Sequence, residues 1–125
     1  MFKFSGTRPN NLGVKDGQLA PTPTTPNCVH SQSEDEQYKI DSLPLVSIAQ
    51  IKEVVNSMER TEIIEESENY LYAEFTTKLM GFVDDVEFYR DEAANEVHVR
   101  SASRLGKSDL GLNRQRVEEI RAKLA

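Results

Sequence analysis

Residues 61–101, TEIIEESENYLYAEFTTKLMGFVDDVEFYRDEAANEVHVRS, decide the fold. Residues 61–67 read as a strand, and Glu68 and Asn69 turn the chain into a second one at 70–77, where Leu71, Ala73 and Phe75 alternate with Tyr72 and Glu74. Gly81 breaks the run before a third strand at 82–89, and residues 91–95 supply turn chemistry before a fourth at 97–101. Four consecutive strands joined by short connections predict an antiparallel meander with one apolar face.

That face needs a cover. On the N-terminal side, Ile48, Ile51, Val54, Val55 and Met58 recur at three- and four-residue spacing among polar residues, the pattern of an amphipathic helix that Ser47 caps and Pro44 keeps from starting earlier. On the C-terminal side the chain turns helical after Gly111, with Asn113 as the cap and Val117, Ile120 and Leu124 on one face. The expectation is an α+β fold: a four-stranded antiparallel meander with two helices, one before and one after the strands, on one face.

Further out, all five prolines lie in the first 44 residues, and three of the six glycines sit among them. Proline fixes φ and pushes its predecessor towards extended geometry, so residues 20–27, APTPTTPN, read as polyproline-like or turn structure. Leu12, Val14, Leu19, Cys28 and Val29 are spaced apolar anchors. The chain thus divides into an extended Pro/Gly-rich arm, residues 1–46, docked on a single helix, four-strand, helix domain at 47–125.

Composition narrows the function classes. A chain of 125 residues has room for one domain, at roughly 150 residues apiece. Its net charge of −6 argues against nucleic acid, and no apolar run approaches the roughly 18 residues that span a bilayer. One cysteine precludes an internal disulfide. The N-terminus MFKFSGTRPNN has neither a secretory h-region nor transit-peptide composition, so as written the product is expected in the cytoplasm. Charge is split: residues 59–96 hold twelve acids and three bases, whereas residues 97–125 hold seven bases and three acids. The basic end is expected to lie across the acidic sheet and neutralise part of it.

The densest polar pattern is GFVDDVEF at 81–88 followed by VRSASRLGKSDLGLN at 99–113. Alternation sets Phe82, Asp84, Val86 and Phe88 on one face and Val83, Asp85, Glu87 and Tyr89 on the other. A carboxylate among apolar residues needs a partner, and Arg100 or Arg104 is expected to pair with Asp84. Adjacent strand residues point oppositely, so Asp84 and Asp85 cannot act together as acid and base on one substrate. Asp84, Asp85, Arg100, Arg104, Asp109, Asn113 and Arg114 form the expected polar recognition network, with Asn27 and Cys28 as further candidates. The leading expectation is a non-catalytic binding or accessory protein for a small anionic ligand or a protein partner, with no cofactor and no metal. The alternative is a small hydrolase or thiol-dependent enzyme using Cys28 with His30 or His98.

The strings GVKDGQLAPTPTTPNCVHSQ, YLYAEFTTKLMGFVDDVEFY and EVHVRSASRLGKSDLGLNRQRVEEIR resemble the domain of unknown function 1499 family, small proteins of bacteria, cyanobacteria and plastid-bearing organisms. The resemblance spans almost the whole chain and implies no particular reaction. Family members often carry CPxxPNCV where this chain has TPTTPNCV, so Thr22 stands in place of a cysteine and any paired-thiol role implied by the resemblance is lost here. His30 stands where serine is more usual in the family.

Overall fold

The computed structural model describes residues 6–78, 81–105 and 111–125. Among them the elements run β1 (Cys28–His30), β2 (Leu43–Pro44), α1 (Ile48–Ser57), β3 (Thr61–Glu66), β4 (Tyr70–Thr76), β5 (Val83–Asp91), β6 (Glu96–Ser103) and α2 (Leu112–Leu124). The meander β3-β4-β5-β6 is present as its alternation predicts, antiparallel throughout, with a register shift between Ile63 and Glu65.

The sheet has six strands rather than the expected four. β1 pairs antiparallel with the C-terminal part of β6 and β2 with its N-terminal part, so two short strands lie end to end along one edge. Strands of three and two residues have no room for a hydrophobic period, which is why alternation alone missed them. Pro44 is tolerated in β2 because the pairing there is at a sheet edge.

Register fixes both faces. Phe75 sits opposite Asp84, Ala73 opposite Val86 and Leu71 opposite Phe88, and beyond them Ser103, Ser101 and Val99 complete the rows. This face, with Val29 of β1, buries Ile48, Ile51 and Val55 of α1 together with Val117 and Ile120 of α2 in one continuous core. Each such large aliphatic side chain contributes about 1.5–3 kcal/mol by leaving water. Leu19, Ala20 and Cys28 are also buried, on the opposite side of the sheet from this core.

The two helices start differently. At α1 the Ser47 hydroxyl accepts from the Gln50 amide and the Gln50 side chain accepts from the Ser47 amide, both at 3.1 Å, a reciprocal capping box. At α2 the capping position belongs to Gly111, in the left-handed region at φ +79°, with no side-chain cap. Asn113, the expected cap, is instead wholly buried: its Oδ1 accepts from the Ser101 hydroxyl at 2.6 Å and its Nδ2 donates to Ser103 Oγ at 2.9 Å and the Asn27 carbonyl at 3.2 Å. The asparagine therefore ties α2 to β6 and to the chain entering β1 rather than closing its own helix.

Asp84 corrects a second expectation. It is buried on the helix face as alternation requires, but its guanidinium partner is Arg116 of α2, at 2.8 Å, and not Arg100 or Arg104. The period-two argument explains why. Val97, Val99 and Ser101 of β6 face the helices, so Arg100, opposite Glu87, points the other way, and Arg104 pairs with Asp85 on that side. Arg116 also lies over the Phe75 ring at 5.0 Å and donates to Asn113 Oδ1 at 2.8 Å, so its planar group is held on several sides.

Replacing either Asp84 or Arg116 with alanine should cost on the order of 3 kcal/mol, because the survivor stays buried after losing this ion pair. Denaturant unfolding of both single variants and the double variant checks this: the double variant is expected to lose clearly less than the sum, and additivity would contradict the pairing.

Candidate functional site

The face of the sheet turned away from the helices is built from charges. Alternation on β4, β5 and β6 brings Tyr70, Tyr72 and Glu74 beside Asp85 and Glu87, and these beside Arg100. Asp85 and Glu87 are buried although they lie outside the main core. Such groups are tolerable only when paired and hydrogen-bonded, and the chain before β1 supplies part of what they need.

Arg104 is the most engaged member. Its Nε donates to Asp85 Oδ2 at 2.9 Å and its NH2 to Asp85 Oδ1 at 2.8 Å, a two-pronged clamp. The same NH2 reaches Glu74 Oε2 at 2.6 Å. Hydrogen bonding to Asp85 raises the Arg104 pKa, so its charge is permanent. Tyr72 donates its hydroxyl to Asp85 Oδ1, and burial together with that carboxylate pushes the phenol well above its ordinary value. Burial acts to raise the Glu74 carboxyl, but hydrogen bonds from Arg8 and Arg104 outweigh it and hold the group below its usual range.

Glu87 and Arg100 form a looser pair. Glu87 Oε2 accepts from the Tyr70 hydroxyl at 2.5 Å and from the Gly13 amide at 2.7 Å. Its Oε1 lies 3.8 Å from Arg100 NH1, beyond hydrogen-bond distance, and has no hydrogen-bond partner among the described residues. Burial raises the Glu87 pKa against the opposing effects of Tyr70, Gly13 and Arg100. Arg100 donates from NH2 to the Pro21 carbonyl at 3.1 Å. Its Nε is buried without a hydrogen-bond acceptor among the described residues, in a side chain only 7% exposed.

Arg100, Arg104 and Asp85 line a cavity of about 280 Å³ whose other wall is formed by Thr7, Asn11 and Thr22 and by three prolines, Pro9, Pro21 and Pro23. Of the residues singled out from the sequence, Asp85, Arg100 and Arg104 meet here. Asp84, Asn27 and Asn113 lie in the polar cluster on the helix side, where Asn27 Nδ2 donates to the Leu105 carbonyl at 3.1 Å. Arg114 is exposed on α2, and Asp109 lies outside the described residues. Tyr70, Tyr72, Glu74 and Glu87 were not singled out. The signal for them was the same alternation, carried from β5 across to β4.

Cys28 and His30 share the site's face of β1 but do not form a dyad. His30 Nδ1 accepts from the Gln32 amide at 3.1 Å and Nε2 donates to the Ala20 carbonyl at 2.8 Å, which fixes the neutral ring with its proton on Nε2 and leaves neither nitrogen for a thiol. Burial lowers its pKa to about 4. Cys28 is buried against Tyr38 and Ala102. His98 contacts Asp91 and Glu96 near the other end of β6. Among the described residues no group of three or more His, Cys, Asp or Glu side chains is arranged to hold a metal ion, and no helix is long and apolar enough to cross a membrane.

Two measurements check this reading. Because the folded His30 pKa lies below its unfolded value of 6.5, its contribution to stability is complete above that pH and is lost as pH falls towards about 4, by about 3 kcal/mol at most. Urea unfolding across that range should show the loss, and His30→Gln should flatten it. Cys28 should react with a thiol reagent at the rate of unfolding; fast labelling of the native protein would contradict its burial.

The charged face and the cavity belong to a chain for which no curated protein and no solved structure gives a match. One family profile does match, that of a protein of unknown function (DUF1499), over residues 18–124, which takes in every strand and helix described above. The chain belongs to the DUF1499 family.

Proposed function

We propose that this protein is a non-catalytic binding or accessory module whose recognition site is the cavity over β5 and β6, and that its ligand is a small anion held by Arg100. The observation that carries the reading is the Arg100 Nε–H: a buried donor on a guanidinium, without an acceptor among the described residues, in a side chain that lines a cavity. A buried donor left unmade costs about 1–3 kcal/mol, and an incoming anion recovers that cost. Arg104 is committed to Asp85 and Glu74, so it shapes the site while Arg100 supplies the attraction. At about 280 Å³ the cavity lies at the small end of ligand pockets, which suits a compact molecule. The thiol alternative finds no comparable support, since both ring nitrogens of His30 are already bonded to the backbone.

Titration of small anions into the protein, followed by the NMR resonance of the Arg100 Nε–H, tests the reading. Saturable movement of that resonance is expected, and calorimetric titration of Arg100→Met, which lacks the resonance, should show binding weakened by about 10- to 100-fold, the range of one charge-assisted hydrogen bond. Equal affinity in Arg100→Met would overturn it.

A further inference from the structure

Charges on the sheet face beside the cavity cancel, and the one that decides the balance is Glu87, which lies behind the lining formed by Asp85, Arg100 and Arg104. Arg8, Arg100 and Arg104 face Glu74, Asp85 and Glu87, three cations against three carboxylates. Arg104 closes on Asp85 and Glu74, and Arg8 adds a second contact to Glu74 at 2.7 Å. That leaves Arg100 facing Glu87, the one pair in the set separated by more than hydrogen-bond distance. Glu87 is wholly buried, and both of its hydrogen bonds go to the oxygen turned away from Arg100.

We propose, building on the binding reading above, that the ligand is a small singly charged oxyanion of the carboxylate class, and that it binds Arg100 while Glu87 takes up one proton from solution. With Glu87 ionised this set of six charges sums to zero and offers an anion in the cavity no net attraction. With Glu87 protonated the same set carries one positive charge at Arg100, and one negative charge restores neutrality. A second negative charge on the ligand meets Asp85 in the cavity wall with no cation left to oppose it. The prolines and Ala102 supply apolar contact for the organic part of a carboxylate, which an inorganic anion does not use.

The other polar groups packed against Glu87 are each engaged by a partner. Tyr70 on β4 is a donor to Glu87, and burial drives its phenol further from ionisation. Tyr72, across from Glu87 on β4, is bonded to Asp85, and Asp85 on β5 itself is clamped by Arg104. His30 on β1, opposite Arg100, is fixed as the neutral ring, and the segment above Glu87 contributes the Gly13 backbone amide. Burial, which raises the Glu87 carboxyl, acts in the direction the proposal needs. The sign follows: affinity rises as pH falls through the Glu87 pKa, because the proton that binding requires is then already in place.

Methanesulfonate, which stays singly charged throughout, is the probe for the pH series, with sulfate as the doubly charged comparison and methanesulfonamide as the neutral one. Arg100 Nε–H titrations should show methanesulfonate binding about tenfold or more tighter near pH 5 than near pH 8, sulfate weaker than methanesulfonate at each pH, and no response to the sulfonamide. Glu87→Gln, which mimics the protonated carboxyl, should bind at pH 8 more tightly than the native protein does and lose the pH dependence. Should that variant not fold, calorimetry of the native protein in buffers of different ionisation enthalpy reads the proton uptake directly. Binding that depends on Arg100 but is flat with pH, takes up no proton, or favours sulfate overturns this inference and leaves the binding reading standing. An unmoved Arg100 resonance with every anion at every pH overturns both.

Discussion

The clamp of Arg104 on Asp85 is the interaction on which the second face of the sheet depends. Strand alternation forces Asp85 away from the helices at the same step that sends Asp84 towards them, so the face opposite the core inherits a buried carboxylate near the start of β5. With Arg104 closing on both its oxygens, the charge can be buried; without it, the chain before β1 would be laid over an uncompensated anion. The same segment then meets its neighbours through backbone groups, the Gly13 amide to Glu87 and the Pro21 carbonyl to Arg100. An irregular segment with few intrachain ladders has backbone donors and acceptors to give, and a charged sheet face accepts them.

Seen this way, the two faces of the sheet solve one problem twice. Adjacent carboxylates, Asp84 and Asp85, are each met by an arginine from the C-terminal, basic part of the chain: Arg116 from α2 on one side and Arg104 from the end of β6 on the other. The uneven charge distribution along the sequence is thereby used inside the fold. Buried ion pairs are poor sources of net stability, and apolar residues of similar volume often do as well. Glu87 and Arg100, held close without a hydrogen bond between them, are harder still to understand as a stabilising device, and that is the physical reason for proposing that they take part in ligand recognition.

How much of this was legible depends on whether a residue sits in a periodic element. β4 and β5 announce themselves because Leu71, Ala73 and Phe75 alternate with polar neighbours, and α1 because its apolar spacing and its Ser47–Gln50 box agree. β1 and β2 are too short for any period, so they emerge only when β6 is there to pair with. Alternation read on β5 alone offers Arg100 to Asp84; carried across to β6, it sends Arg100 to the far face, opposite Glu87. Asp85, Arg100 and Arg104 were named from sequence, but the cavity they line was not. Its other wall runs through residues 7–23, where irregular backbone leaves no pattern to read.

The central claim is that the Asp85–Arg104 clamp makes the charged face possible, and a double-mutant cycle on that pair measures it most directly. Asp85→Asn, Arg104→Met and their combination, compared by denaturant unfolding, should give a coupling energy of about 2–4 kcal/mol, with the double variant more stable than the two single losses added together. Losses that add to within about 0.5 kcal/mol would contradict the account, since the two side chains would then be buried side by side without depending on each other.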